Sequence, residues 1–276
     1  MRSRFDSVVD AYTETRRPLP AAAGTYVAER LRALRDDAPG RPVRFLDLAT
    51  GNGALIRTLP SVDGTVLAGA DLSCEMLKEA RRLMSNNPLV FVNADVHRLP
   101  FRDASLDMVA CCQAIHLFEI DRFLGEVKRV LTDRGMLIVI TYDLIASAGS
   151  PADHTNVIFR SMVADDLWPG FSRTGIHPEL MEWLEEHGLI PCETLSMDSV
   201  STFSADEWQR RIESSSLALK IWPAPVREAI LREHAARLGD LFGGRTLAQR
   251  QRCWIVSARK EPALAESAPA PVAENA

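Results

Sequence analysis

The sequence predicts an α/β protein built around a mostly parallel β-sheet. Short and almost continuously apolar runs alternate with amphipathic segments between residues 43 and 141, which is typical of strands buried on both faces by helices. Turn-forming residues such as Pro-Gly-Arg-Pro at 39–42 separate these segments. With 276 residues, 46% of them hydrophobic, the chain is long enough to bury a full core.

The elements follow in order along the chain. The predicted strands are Val43–Leu48, Val66–Ala70, Leu89–Val92, Met108–Cys112, Met136–Thr141, Leu189–Ser196 and Arg252–Ala258. The predicted helices cover residues 21–36, 53–60, 74–85, 119–131, 156–165, 177–187 and 204–242, the last broken at two prolines. Because the first five strands alternate with helices, we expect βαβ units. The remainder of 143–176 has no clear pattern.

Three segments are predicted. Residues 1–40 are expected to form an N-terminal helical lid segment, and residues 41–259 the main domain. A helical insertion at about 200–243 precedes the last strand and is expected to complete the lid. Residues 260–276 consist largely of Ala, Pro and Glu, cannot bury much apolar surface, and are predicted to be disordered.

Composition excludes several classes of protein. The formal net charge of −5, from 32 basic and 37 acidic residues, argues against a nucleic-acid-binding protein. We expect no membrane span and no secretory signal, because no apolar run is long enough for either. The five cysteines lack metal-binding spacing, so we expect free thiols, no metal and a cytoplasmic location.

The segment RFLDLATGNGALIRTL at 44–59 contains the strongest candidate site. A strand ends at Asp47, a turn containing Gly51 and Gly53 follows, and a helix begins. Such a turn at the carboxyl end of the first strand is where α/β sheets bind nucleotides. A dinucleotide-binding turn would have a third glycine at position 56, where this sequence has Ile56. An NAD-linked oxidoreductase is therefore the disfavoured alternative.

Two further carboxylates end the next two predicted strands. Asp71 lies 20 residues after Gly51, where an acid can accept hydrogen bonds from ribose hydroxyls. Asp95 follows the third strand, where it could accept a hydrogen bond from an adenine amine. Strand-end aspartates can instead cap the next helix, although Ser73 is already available for that purpose after Asp71.

These motifs, in this order, resemble the class I S-adenosylmethionine-dependent methyltransferases over roughly residues 5–142. The family's D-x-G-x-G-x-G turn corresponds to residues 47–53, with Ala49 in place of the first glycine. CCQAIHLFEI at 111–120 resembles a Q-A-x-H-W-F signature, with Leu117 in place of tryptophan. The opening FDSVVDAYTETRRPLP is similar to that of the branch that includes trans-aconitate-type and other small-molecule methyltransferases.

The resemblance implies a Rossmann-like seven-stranded fold with helices on both faces. It also implies S-adenosyl-L-methionine as cofactor and S-adenosyl-L-homocysteine as product. Asp71 would hold the ribose, Asp95 the adenine amine, and Gln113 and Ala114 would flank the sulfonium. The full set of implied cofactor-binding residues is Tyr12, Arg17, Asp47, Ala49, Thr50, Gly51, Gly53, Asp71, Leu72, Met76, Asp95, Val96, Gln113 and Ala114.

His116, just past the fourth strand, is the predicted catalytic residue, because a histidine can accept a proton near neutral pH. It could instead orient the loop. Tyr142, Asp143 and His154 are further candidates to face the acceptor. The expected reaction is in-line methyl transfer to an oxygen, nitrogen or carbon of a small molecule, including natural-product intermediates, and most of the catalysis comes from alignment.

Two other functions remain open. One is a protein that binds S-adenosylmethionine without methylating anything, and the other is an RNA methyltransferase, which the negative charge disfavours. The identity of the acceptor and the oligomeric state cannot be predicted from this sequence.

Overall fold

A seven-stranded sheet forms the centre of the computed structural model, which describes residues 6, 9–15, 19–85, 89–163, 179–214 and 224–261. Its strand order is β3-β2-β1-β4-β5-β7-β6. Among these strands β7 alone runs in the opposite direction, so its pairings with β5 and β6 are antiparallel. The strands are β1 (Val43–Leu48), β2 (Thr65–Asp71), β3 (Val90–Asn93), β4 (Leu106–Cys112), β5 (Leu131–Ile145), β6 (Leu189–Phe203) and β7 (Leu247–Lys260).

Nine α-helices are described around this sheet. They are α1 (Val9–Thr15), α2 (Ala21–Asp37), α3 (Ala54–Thr58), α4 (Cys74–Leu83), α5 (Ile120–Val130), α6 (Pro151–Arg160), α7 (Leu180–Glu186), α8 (Ala205–Glu213) and α9 (Ala224–Phe242). A 3₁₀ turn at Ile115–Leu117 follows β4.

The sheet is covered by helices on both faces, as predicted. The side chains of β1 show this covering on both faces, because successive side chains of a strand point to opposite faces of the sheet. Phe45 belongs to a buried cluster with α2, α3 and the end of α4, whereas Leu46 and Leu48 belong to one with α5 and α7. Both clusters also contain side chains of β4, β5 and β7. The core is therefore a three-layered α/β arrangement.

A third cluster lies outside these layers and joins α6, α8 and α9 around the fully buried Trp208. The Trp208 indole donates a 2.8 Å hydrogen bond to the Thr155 hydroxyl, and His234 lies 3.0 Å from the same oxygen. Burial lowers the pKa of His234 to about 3. α8 and α9 form the helical insertion between β6 and β7, and α1 packs against α8.

The seven strands were all predicted, but three were predicted too short. β5, β6 and β7 extend to 15, 15 and 14 residues because β5 and β6 each pair with β7 through polar as well as apolar positions. The helix predicted at 156–165 was misplaced, since α6 begins at Pro151. Ser150 caps it by accepting a hydrogen bond from the Asp153 amide.

The predicted helix at 204–242 is described as α8 and α9, with residues 215–223 outside the described part of the chain. α2, which belongs to the predicted N-terminal lid segment, packs on the sheet through its buried side chains, and the lid role of residues 1–40 stays a prediction. The predicted tail lies outside the described residues except for Lys260, which ends β7, and Glu261. None of the described helices has the length and apolar character that crossing a bilayer requires.

Candidate functional site

The turn between β1 and α3 has the backbone of a ligand-binding loop. Ala49, Gly51 and Gly53 all adopt positive φ, at 56°, 55° and 76°. This left-handed region is unfavourable for a side chain, so Ala49 is strained where a glycine would not be. A Cβ built on Gly51 would meet nothing within 4 Å. The turn therefore leaves open space beside a backbone that can approach a ligand closely.

Asp47 supports this turn from beneath its first residues. Its side chain is 1% exposed, and its Oδ2 accepts a 2.6 Å hydrogen bond from the Thr50 hydroxyl. Burial raises the pKa of Asp47 to about 7 against the lowering effect of that hydrogen bond, and the nearby Asp71 charge raises it further. Its Oδ1 is buried and makes no hydrogen bond to any residue that the structure describes. Asp47 thus acts on the turn itself, and direct contact with a ligand stays a prediction.

Asp71, the last residue of β2, is hydrogen-bonded to the turn that follows β1. Its Oδ2 accepts a 2.8 Å hydrogen bond from the Gly51 amide, and its Oδ1 accepts one of 2.8 Å from the Ser73 amide. Ser73 caps α4 by accepting a bond from Met76. Burial raises the pKa of Asp71, although the two amides oppose the shift. The carboxylate is therefore fixed next to the glycine turn, and its contact with a ribose stays a prediction.

Asp95 lies two residues after β3, the strand that pairs with β2. Its Oδ1 accepts hydrogen bonds from the His97 amide (2.9 Å) and the His97 ring nitrogen Nδ1 (2.8 Å). These bonds, led by that of the amide, lower the pKa of Asp95 against a smaller effect of burial. Of the neighbouring predicted residues, Met76 and Val96 are buried and Leu72 is partly buried.

The end of β4 contributes a fourth group. Gln113 has a positive φ of 58°, and its amide nitrogen Nε2 is buried without a hydrogen-bond partner among the described residues. A buried amide without a partner is rare and costly, so this side chain is a candidate to bind a ligand. Ala114 is buried beside it, while His116 is exposed on the 3₁₀ turn. The structure thus places His116 on the exposed turn that follows β4, and its catalytic role stays a prediction.

The N-terminal segment closes over the same region. Asn52 of the glycine turn donates a 3.2 Å hydrogen bond to the Thr13 hydroxyl of α1. The Ser73 hydroxyl donates a 2.5 Å bond to Asp6. Tyr12 lies on the same helix and is partly buried, whereas the predicted Arg17 lies outside the described residues.

Polar groups also gather where α8 meets the end of β5. The buried guanidinium of Arg211 lies 3.3 Å from the Tyr142 hydroxyl and 3.4 Å from the Thr15 carbonyl oxygen. Sequence reasoning placed Tyr142 here but missed Arg211, which no local motif marks. The other two acceptor-side candidates have structural contacts: Asp143 accepts a bond from Trp254, and the His154 ring packs near Phe242 within the third cluster.

Together these features are typical of α/β proteins that bind nucleosides. Acids end β2 and follow β3, a glycine turn follows β1, and all lie at the carboxyl ends of neighbouring parallel strands. Among the described residues, no three His, Cys, Asp or Glu side chains form a potential metal site.

Comparison with known proteins identifies the class more closely. Residues 46–139 match the methyltransferase domain family, and this segment contains the glycine turn, Asp71, Asp95 and Gln113. Over this segment the chain is therefore similar to class I S-adenosylmethionine-dependent methyltransferases, as its sequence motifs predict. The resemblance to the trans-aconitate-type branch stays a prediction.

Curated relatives match over about half of the chain. The demethylmenaquinone methyltransferase of Clavibacter sepedonicus is 34% identical over 140 residues, which is 50% of this chain and 56% of that protein. The malonyl-[acyl-carrier protein] O-methyltransferase of Geobacter sulfurreducens is 33% identical over 120 residues, covering 42% and 45% respectively. The matched segment thus spans about half of these relatives' own length.

Solved structures share the fold. A candidate methyltransferase of Bacillus halodurans C-125 superposes with a TM-score of 0.51 at 20% identity, covering 85% of this chain and all of that one. The YcgJ protein of Bacillus subtilis gives the same TM-score at 18% identity, with 85% and 99% coverage. These likenesses confirm the predicted Rossmann-like architecture.

Proposed function

We propose that this protein transfers the methyl group of S-adenosylmethionine to an oxygen, nitrogen or carbon of a small molecule. The observation that carries the proposal is the Asp71 carboxylate, which accepts a 2.8 Å hydrogen bond from the Gly51 amide. Both residues lie in the segment that matches the methyltransferase domain family. An acid in this place can accept hydrogen bonds from ribose hydroxyls while it holds the turn on which the rest of the cofactor would lie.

The residues present fit this cofactor. Space beside Gly51 allows close approach of the methionine part, because a side chain there would occupy that space. The buried Gln113 amide nitrogen has hydrogen-bonding capacity that no residue in the described part of the chain uses. When bound, S-adenosylmethionine supplies an electrophilic methyl group on a sulfonium that is already a good leaving group.

The task left to the protein is alignment and the exclusion of water. Asp71 and Asp95 would fix the nucleoside end, and the β4 end with Gln113 and Ala114 would border the acceptor. α1 is bonded both to the glycine turn, through Thr13, and to α8, where the Thr15 and Ser214 hydroxyls lie 3.3 Å apart. It therefore bridges the cofactor region and the helical insertion, which supports an enclosed site for a small acceptor.

The names of the relatives do not identify the chemical class of the acceptor. Their names refer to a demethylated menaquinone and a malonyl group on a carrier protein, which are chemically dissimilar. The helices that would surround the acceptor, α8 and α9, lie at residues 205–213 and 224–242, outside the matched family segment. Acceptor choice in this protein is therefore expected to depend on side chains such as Arg211 and Tyr142.

Binding and turnover test the proposal. We expect S-adenosylhomocysteine to raise the melting temperature, since a ligand selective for the native state stabilises it by about 2.7 kcal/mol at 100 times its Kd. NADH at equal concentration is the control and should give no shift. We then expect S-adenosylhomocysteine to form from S-adenosylmethionine with at least one acceptor in a panel of quinols, phenols, carboxylic acids and amines. Binding without turnover on the whole panel would favour the non-methylating alternative.

His116 is the proposed general base for a protonated acceptor. With the acceptor identified by the panel, His116→Ala should lower kcat by about 10²–10⁴-fold, the usual contribution of a positioned base. His116→Asn is the matched variant, because asparagine can hydrogen-bond but cannot take up a proton. A near-normal kcat and an unchanged pH profile for His116→Asn would exclude the role.

A further inference from the structure

His97 links two parts of the site that are separate in sequence. Its ring Nδ1 lies 2.8 Å from Asp95 Oδ1, and its Nε2 accepts a 3.1 Å hydrogen bond from the Glu119 backbone amide. The His97 side chain is 14% exposed, whereas that of Asp95 is 43% exposed. The imidazole thus lies behind a carboxylate that solvent or a ligand can still reach.

The partners of the ring fix its hydrogen positions. A backbone amide is always a donor, so Nε2 faces Glu119 as an acceptor without a hydrogen. The neutral imidazole then carries its hydrogen on Nδ1, which donates to Asp95 Oδ1. Since the His97 amide donates to the same oxygen, Oδ1 has two donors from one residue. Asp95 Oδ2 makes no hydrogen bond to any residue in the described ranges.

At its other end, the ring caps helix α5. Glu119 is the residue that precedes α5, and its side chain makes no capping hydrogen bond. In a capping box the third helical residue would accept from this amide, but here that residue is Arg122, which has no acceptor. His97 takes this place from 22 residues away. Its ring also contacts Phe118 edge-on, at 6.0 Å between centroids.

We propose that His97 is a positioning residue for cofactor recognition. It holds Asp95 so that Oδ2 faces the exocyclic amine of adenine, and it anchors that acid to the segment between β4 and α5. This inference rests on the proposed function, because it assumes that Asp95 contacts the adenine. A ring that only stabilised the loop would affect all ligands of the site equally, whereas a positioning ring should affect ligands that differ at the adenine amine.

Two substitutions separate the hydrogen bonds of the ring. In His97→Asn the side-chain amide can replace Nδ1 and keep the bond to Asp95. In His97→Gln the longer side chain can replace Nε2 and keep the bond to Glu119, but it leaves Asp95 without its ring donor. His187→Ala is the matched control, because that ring is also mostly buried and bonds a backbone carbonyl, that of Trp183, at the end of α7.

Calorimetric titration would compare S-adenosylhomocysteine with S-inosylhomocysteine, in which an oxygen replaces the amine. We expect the wild-type protein, His187→Ala and His97→Asn to prefer the adenine ligand by about tenfold or more, the scale of a hydrogen bond to a charged group. His97→Gln should lose most of that preference. A preference kept in His97→Gln, or lost equally in His97→Asn, would overturn the proposal. If the wild-type protein binds neither ligand, the proposed function itself fails.

Discussion

Asp71→Ala is expected to weaken S-adenosylhomocysteine binding by about 1.5–3 kcal/mol, roughly 10- to 150-fold in Kd. The substitution removes the proposed ribose acceptor and also releases the amides of Gly51 and Ser73, each now bonded at 2.8 Å. The glycine turn and the start of α4 would thus lose a shared anchor in addition to the ligand contact. Isothermal calorimetry on the purified variant measures the effect directly.

Two variants sharpen this experiment. Asp71→Asn keeps the shape, but its amide group must face one of the two backbone donors, so we expect a loss of similar size. Asp63→Ala removes an exposed carboxylate of the loop before β2 and should leave affinity unchanged. An affinity for Asp71→Ala equal to that of the wild-type protein would exclude Asp71 as the ribose ligand.

Gly24→Ala is expected to lower the free energy of unfolding by about 1–3 kcal/mol, the usual cost of overpacking. Helix propensity alone predicts the opposite sign, because alanine is favoured over glycine within a helix by about 1 kcal/mol. A Cβ on Gly24 of α2 would lie 2.2 Å from the Thr58 carbonyl oxygen at the end of α3. Because that atom belongs to the backbone, relief requires α2 and α3 to separate.

Gly239 provides the matched control for this prediction. It lies within α9, and a Cβ there would meet nothing within 4 Å. Gly239→Ala should therefore raise the free energy of unfolding by about 0.5–1 kcal/mol. Urea denaturation of the two variants and the wild-type protein measures both effects. Similar stabilisation by both substitutions would contradict the tight α2–α3 contact.

Local sequence signals were sufficient to predict most strands of the sheet and the acidic residues at the ends of two of them. β1 was predicted with its observed bounds because its residues are apolar on both faces and a glycine turn ends it. Asp71 and Asp95 were predicted because each follows such a run. The second half of β6 was not predicted, since its alternate residues are exposed and mostly polar and its position depends on pairing with β7.

Contacts between distant segments could not be predicted in the same way. His97 is not part of any motif, and its role depends on the Glu119 amide, 22 residues further on. Arg211 is 69 residues from Tyr142 and lies within an amphipathic helix where an arginine is unremarkable. Such positions become functional candidates only when the fold brings their partners together, because spacing along the chain carries no record of those contacts.

The position of β7 has a consequence for the order in which the molecule folds. β5 and β6 do not pair with each other, and each is hydrogen-bonded to β7, which lies between them and follows both in the chain. During synthesis, β1 to β5 can assemble through connections from near neighbours, whereas β6 must wait until residues 247–260 have left the ribosome. The pairing of β5 with β7 also encloses a loop of about a hundred residues, and closing such non-local contacts slows folding. Until then, one edge of β5 remains unpaired and open to association with other chains.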